Sequence, residues 1–241
     1  MTRLPPTIRC QGRSNCFDCT LRHEMVCSEV TLDELIDFHI GIEDFDYGHG
    51  AALFNMGAPT EGVYCIRHGA VKMVKYDQAG GQRIIRVLKK GDVAGIESAF
   101  GENYEHTAVA VGEVRACRVP IDYFRDFVSK HGNLQMRLLR TSQDTLRETE
   151  TWLSELTAGN LPARTRMARL LLRLRVTEDG DRIHRFGVED MAAILGIAAE
   201  TVSRVVSDFV REGILVKGGK SFATRYFRGD LPALEMVARE I

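Results

Sequence analysis

The chain has 241 residues, 44% hydrophobic and 27% charged with a net charge of -1, so it is long enough for two modest domains of ordinary globular composition. No apolar run approaches the ~18 to 20 residues that span a membrane, and the N-terminus MTRLPPTIRC lacks the apolar core of a signal peptide. We therefore expect a cytoplasmic protein without a membrane partner, in which thiols stay reduced and a disulfide framework is improbable.

Four of the six cysteines lie in one stretch near the N-terminus, CQGRSNCFDCTLRHEMVC. Its C-x-x-C pair, Cys16 and Cys19, has the spacing with which a tight turn brings two thiolates to one metal, and Cys27 follows. Zinc and iron–sulfur clusters both accept such ligands, and His23 could give zinc a nitrogen ligand. A thiol oxidoreductase is the third interpretation, but no βαβ unit surrounds the motif, so we do not expect an enzyme.

After a short amphipathic helix predicted over 30–43, the chain changes to short apolar runs from 44 to about 119. The turn signals between them are HG at 68–69, AGG at 79–81 and KKGD at 89–92. Many short strands separated by turns indicate a β-sandwich or roll. Cys65 lies inside one of these strands, where a thiol behaves as a small buried hydrophobe.

Residues 121–157 predict a helix whose leucines recur every seven positions, the spacing that a two-helix interface needs. Ser142 and Thr149 occupy the complementary positions, so the predicted homodimer interface is weak. Its expected residues are Leu139, Leu146, Leu153 and Leu156. The alternative is a helix that packs only on its own domain. Gly159 and Pro162 then end the helical pattern.

Residues 187–212 predict two short helices joined by a tight turn at Gly196, which is a helix-turn-helix whose second helix enters the DNA major groove. The outward positions at the start of that helix are Glu200, Thr201, Ser203 and Arg204. Arginine can bridge guanine O6 and N7, glutamate can accept from cytosine N4, and serine or threonine can contact a base edge or a phosphate. The alternative is a helical hairpin that contacts only protein.

Residues 213–227 predict a two-stranded wing that follows the second helix. Its cations available for phosphate contacts are Lys217, Lys220 and Arg225. From 158 onward the chain holds 14 Lys and Arg against 11 Asp and Glu, so this part is mildly basic, as suits a nucleic-acid module.

The order of these parts resembles the CRP/FNR superfamily of bacterial transcription regulators from end to end. The segment ETVSR resembles the E-x-x-S-R motif of the FNR branch, which implies that Glu200, Ser203 and Arg204 read a TTGAT-type half-site. A dimer then binds a double-stranded DNA palindrome. In the cyclic-AMP branch an Arg-Ser pair clamps the cyclic phosphate, whereas this chain has His106-Thr107 there, so we expect no cyclic nucleotide.

The spacing C-x2-C-x7-C, with Arg22-His23 in the spacer, resembles the iron–sulfur segment of oxygen-sensing FNR proteins. That family takes its fourth ligand from a β-roll strand ending just before a proline, and Cys117 in VRACRVP matches it. The resemblance therefore implies a 4Fe–4S cluster, with zinc as the runner-up. The implied ligands are Cys16, Cys19, Cys27 and Cys117. It gives Cys10 no role.

The predicted fold is α+β, with an antiparallel β-roll of the cupin-like jelly-roll kind, a long dimerisation helix and a C-terminal winged helix-turn-helix. The predicted parts are a cysteine-rich iron–sulfur segment at 1–29, the β-roll at 30–120, the helix at 121–158 and the DNA-binding domain at 159–241. The resemblance implies an oxygen-responsive regulator that dimerises and binds DNA without oxygen. It also implies RNA polymerase as a partner, through loops such as 76–83. The alternative keeps the DNA reader but has a structural zinc or a thiol–disulfide sensor for another signal.

Overall fold

The computed structural model describes residues 8–23, 26–31, 33–34, 36, 39–76, 81–157, 161–176, 180–219 and 226–240. The chain divides into two compact units, one of residues 1–75 and 87–146 and the other of residues 76–86 and 147–241. None of the helices in these ranges is long and apolar enough to cross a membrane.

The β-roll is a sheet of seven strands, which are β1 (Ile8–Arg13), β2 (Glu43–Tyr47), β3 (Ala52–Phe54), β4 (Gly62–Tyr76), β5 (Gln82–Leu88), β6 (Val93–Ala94) and β7 (Thr107–Pro120). Their order in the sheet is β1-β2-β7-β4-β5, and in addition β3 pairs with β7 and β6 pairs with β4. The pairs β1–β2, β2–β7 and β7–β4 are antiparallel. Strand β4 is buried on both faces over residues 62–66, whereas β7 has one face with the exposed residues Glu113 and Arg115.

The turn predicted at 68–69 is wrong, because β4 runs through it without a break. The register against β7 shifts on both sides of His68, which marks a β-bulge rather than a reversal of the chain. Gly69 has φ +87, a conformation that glycine adopts without steric cost. The turn at 89–92 is present, and the Lys89 backbone N–H donates to Asp92 Oδ2 at 2.7 Å.

We expect Gly69→Ala to destabilise the β-roll by about 2–4 kcal/mol, because the free-energy costs of a positive φ and of a steric clash add to each other. A Cβ at this position would lie 2.3 Å from the Glu113 carbonyl oxygen. Chemical denaturation of the variant measures the loss. Gly91→Ala is the matched control, since Gly91 has φ +95 but open space around the new Cβ. Equal losses in the two variants would show that the backbone contact with Glu113 has no role.

The N-terminal cysteine segment contributes the edge strand of the sheet, which no sequence pattern predicted. β1 pairs with β2, and Cys10 lies opposite Phe45. Of the helix predicted over 30–43, residues 33, 34 and 36 are helical, a 3₁₀ turn follows at His39–Gly41, and β2 begins at Glu43. Of its predicted apolar face, Ile36 and Ile40 are exposed, and Leu32 and Leu35 lie outside the described residues.

The helix predicted over 121–157 is two helices, α1 (Ile121–Lys130) and α2 (Gly132–Leu156), separated at His131. The second unit continues with α3 (Ala163–Arg173), β8 (Arg182–His184), α4 (Val188–Leu195), α5 (Ala199–Arg211), β9 (Leu215–Gly218), β10 (Tyr226–Gly229) and α6 (Leu231–Arg239). β8, β10 and β9 form a small antiparallel sheet in that order. The predicted combination of an antiparallel β-roll with a C-terminal winged helix-turn-helix is therefore confirmed.

Candidate metal centre and nucleic-acid interface

Cys16 and Cys19 lie in a tight loop that follows β1. The loop is closed by Asn15 Nδ2, which donates to Asp18 Oδ2 at 2.7 Å. It is anchored to the start of β2, because the Ser14 backbone N–H donates to the Ile42 carbonyl at 2.9 Å. Local hydrogen bonds thus present the C-x-x-C pair on a turn, as the spacing predicted.

Cys117 comes from the middle of the sheet, in β7 three residues before Pro120. Its neighbours across the strands are Asp44 of β2 and Cys65 of β4. Asp44 accepts two hydrogen bonds from Arg67 Nη1, at 2.8 and 3.0 Å, and one from the Ser14 hydroxyl. The ion pair of Arg67 and Asp44 therefore lies beside the strand position of the fourth proposed ligand, and no sequence pattern indicates it.

The four proposed ligands come together at one hydrophobic cluster, although about ninety residues separate Cys117 from Cys27. All four are partly buried and pack against the same core. Burial raises the pKa of Cys16 to about 12, and the sulfurs of the other three add to the rise. Burial and nearby sulfurs also raise the pKa of Cys27 to about 12. Because thiols must lose their protons to bind a metal, assembly of such a site releases protons.

The set of donors suits a soft or borderline metal, since thiolates bind zinc and iron–sulfur clusters. Among the residues that the structure describes, no three His, Cys, Asp or Glu side chains form a group that would hold a metal ion in the conformation shown. His23 is exposed, and Cys10 is exposed on β1. Cys65 is buried, as expected of a core thiol.

The predicted dimer-interface leucines fall into two kinds. Leu139, Leu146 and Leu153 of α2 are 60%, 60% and 64% exposed, which is unusual for leucine. Leu156 differs from the prediction, because its own chain buries it completely. Its side chain therefore has no surface left for a partner helix, and its carbonyl accepts from Arg166 Nη1 at 3.4 Å within the second unit.

The predicted helix-turn-helix is formed by α4 and α5, with Gly196 in the left-handed conformation between them. The inward face of α5 is buried as predicted, through Val202, Val205, Val206 and Phe209. At the start of the helix, Glu200, Ser203 and Arg204 are exposed and Thr201 is half-buried. The wing is present as β9 and β10, with Lys217 exposed. Lys220 and Arg225 lie outside the described residues.

The residues that replace the Arg-Ser pair are engaged with their own domain. His106 Nδ1 lies 3.6 Å from Glu97 Oε1. The buried Thr107 accepts a hydrogen bond through its Oγ1 from the Met56 backbone N–H at 2.9 Å. The Thr107 hydroxyl therefore already accepts a hydrogen bond from the turn that follows β3.

Comparison with known proteins gives matches across both parts of the chain. The family model of the cyclic nucleotide-binding domain matches residues 45–131, and that of the Crp-like helix-turn-helix domain matches residues 165–226. A fumarate and nitrate reduction regulatory protein of Vibrio cholerae is 25% identical over 94% of this chain and 92% of its own length. A CRP-like cAMP-activated global transcriptional regulator of Mycobacterium tuberculosis is 27% identical over 75% of this chain and 83% of its length.

Among solved structures, FixK2 from Bradyrhizobium japonicum is similar with a TM-score of 0.68 and 25% identity, covering 82% of this chain and 98% of that one. A β-roll followed by a helix-turn-helix with an exposed reading face defines a DNA-binding transcription regulator. The two matched models and these relatives together support a narrower class, a transcription regulator of the CRP/FNR type. Because one of the models is the cyclic nucleotide-binding domain, the comparisons do not support the expected absence of a cyclic nucleotide, which stays a prediction.

Proposed function

We propose that this regulator senses oxygen through a 4Fe–4S cluster held by Cys16, Cys19, Cys27 and Cys117. The observation that carries the proposal is the convergence of these thiols from two distant parts of the chain on one core. Such a cluster supplies oxygen-sensitive chemistry when it is bound. The protein's contribution is to tie the N-terminal segment to the β-roll through ligands on both.

The same hydrophobic cluster links the cysteines to the start of the dimerisation helix. Leu134 and Leu138, from the first turns of α2, are buried in the core against which the four thiols pack. In addition, Glu34 Oε1 lies 3.1 Å from His131 Nε2, at the junction of α1 and α2. Holding the segment in place therefore stabilises the packing from which α2 begins, and releasing the segment removes that support.

The dimerisation surface in this proposal consists of Leu139, Leu146 and Leu153. Their exposure on a single chain favours a partner helix over a helix packed only on its own domain. A weak interface of this kind can be shifted by a small change in packing free energy. Only the dimer gains the effective concentration that comes from binding both halves of a palindromic TTGAT-type site.

We further propose that the β-roll does not bind cyclic AMP. The guanidinium that would clamp a cyclic phosphate is replaced by His106, which faces Glu97, and the Thr107 hydroxyl is occupied by a backbone N–H. Contact with RNA polymerase through the 76–83 loop follows from the family resemblance alone, and residues 77–80 lie outside the described residues.

Purification without oxygen tests the proposal. We expect brown, dimeric protein that contains iron and sulfide and binds a palindromic TTGAT-type DNA, and we expect air to reverse the colour, the dimerisation and the binding. Visible absorption, gel filtration and a DNA-binding titration measure the three properties. Added cyclic AMP should leave the titration unchanged. Colourless protein with one zinc per chain and DNA binding indifferent to air would contradict the proposal.

A further inference from the structure

A fifth thiol, Cys65, lies beside the proposed centre without belonging to it. It is buried in β4, and Cys117 of β7 is its direct partner across the antiparallel ladder. The Cys117 sulfur lies 3.9 Å from the Cys65 carbonyl oxygen. The family resemblance assigns Cys65 no role, and packing alone does not require a sulfur at this position.

The strand register sets the geometry of the two thiols. Directly opposed residues in an antiparallel pair project to the same face, with Cα atoms about 4.5 to 5.5 Å apart. A disulfide requires Cα atoms about 4.4 to 6.8 Å apart, so this pair can be bridged without moving the strands. The bulge that begins at Ile66 adds local twist next to Cys65.

We propose that Cys65 and Cys117 form a disulfide when Cys117 is free of metal, and that this bond withholds the fourth ligand until it is reduced. The inference rests on the proposed function, because withholding Cys117 matters only if Cys117 is a ligand. Cys65 is the favoured partner because the sheet holds it opposite Cys117 whether or not the N-terminal segment stays docked. The three cysteines of that segment lack such a constraint.

Hydrogen peroxide is the class of oxidant that this step uses. The sulfur of Cys117, a half-buried residue, attacks one peroxide oxygen, the O–O bond breaks, and a sulfenic acid and one water form. The Cys65 sulfur then attacks the Cys117 sulfur, the S–O bond breaks, and a second water leaves. Two thiols and one peroxide thus give one disulfide and two waters, and the two electrons lost by the sulfurs reduce the peroxide.

The test uses the full-length chain, prepared metal-free without oxygen and treated with a small excess of hydrogen peroxide. After the free thiols are blocked, peptide mapping by mass spectrometry identifies the linked cysteines. We expect the linkage Cys65–Cys117 with the loss of two hydrogen atoms, and its disappearance after a thiol reductant. Linkage of Cys117 to a cysteine of the N-terminal segment, or no linkage at all, overturns the proposal.

Uptake of iron and sulfide by the same samples tests whether the disulfide withholds Cys117 from the cluster. We expect the oxidised chain to lose this uptake and a thiol reductant to restore it. In Cys65→Ala, Cys117 should instead oxidise further to a sulfinic acid, so that the reductant no longer restores uptake, whereas the exposed-site control Cys10→Ala should behave as the wild type. Peptide mapping needs no cluster. If the Cys65–Cys117 disulfide forms but neither the oxidised nor the reduced chain takes up iron, the proposed oxygen-sensing function is wrong and the disulfide is still supported.

Discussion

Cys117→Ala is expected to abolish the metal centre while leaving the β-roll folded. The variant removes the only proposed ligand that comes from the sheet, so iron and sulfide content should fall to background and the brown colour should be lost. The fold should survive because alanine already occupies the neighbouring position in β7, where Ala116 is buried. Anaerobic metal analysis with a thermal unfolding curve measures both properties.

The Cys117→Ala variant distinguishes the proposed cluster from a zinc site, because the two sites have different ligands. A zinc site built from the N-terminal segment and His23 would keep its metal in Cys117→Ala, because none of its ligands lies in β7. Cys10→Ala is the matched control, since Cys10 is also in a strand but is exposed at the edge of the sheet. Metal retained at the wild-type level by Cys117→Ala would contradict the proposed ligand set.

The parts of the fold that depend on local patterns could be predicted from the sequence. The helix-turn-helix follows from a helical period of apolar residues and one glycine in the turn, and Val202, Val205 and Phe209 are buried accordingly. Three of the leucines predicted for the dimer interface are exposed on the single chain, and their contact with a partner helix stays a prediction. Leu156 departs from that pattern because the last turn of α2 packs within the second unit, which a seven-residue repeat cannot reveal.

The features that depend on strand pairing could not be predicted. β1 is exposed at five of its six residues, so it lacks the alternation that marks a half-buried strand, and only its hydrogen bonds to β2 make it one. The two residues at 68–69 resemble a turn in sequence, but β7 pairs with β4 on both sides of them. The contact of Cys65 with Cys117 likewise follows from the register of these two strands.

One half of the candidate metal centre depends on a local sequence pattern, and the other half depends on strand pairing. The C-x-x-C spacing identifies one half locally, because a turn closed by Asn15 and Asp18 presents its two thiols. The other half lies about ninety residues away, and only the sheet order β2-β7-β4 brings it to the segment. The family resemblance identifies Cys117 as a candidate ligand. Residue spacing alone could not predict that the ion pair of Arg67 and Asp44 lies beside it.

The second large effect is expected at the DNA-reading helix, from Arg204→Ala. Arg204 is exposed at the start of α5, where a recognition helix presents its side chains to base edges. A bidentate arginine–guanine contact is worth about 1–3 kcal/mol, and a dimer makes it twice, so affinity should fall by roughly 30-fold to 10⁴-fold. Titration of the anaerobic dimer with a palindromic TTGAT-type DNA measures the loss.

Arg211→Ala is the matched control for charge, because Arg211 is also an exposed arginine, lies at the opposite end of the same helix and pairs with Asp208. A variant that only loses positive charge weakens binding to all DNA sequences alike and lowers the salt dependence. Loss of a base contact instead weakens binding to the cognate site more than to a site with the guanine replaced. If Arg204→Ala and Arg211→Ala lose affinity equally for both sites, Arg204 acts as a cation near the phosphates and does not read a base.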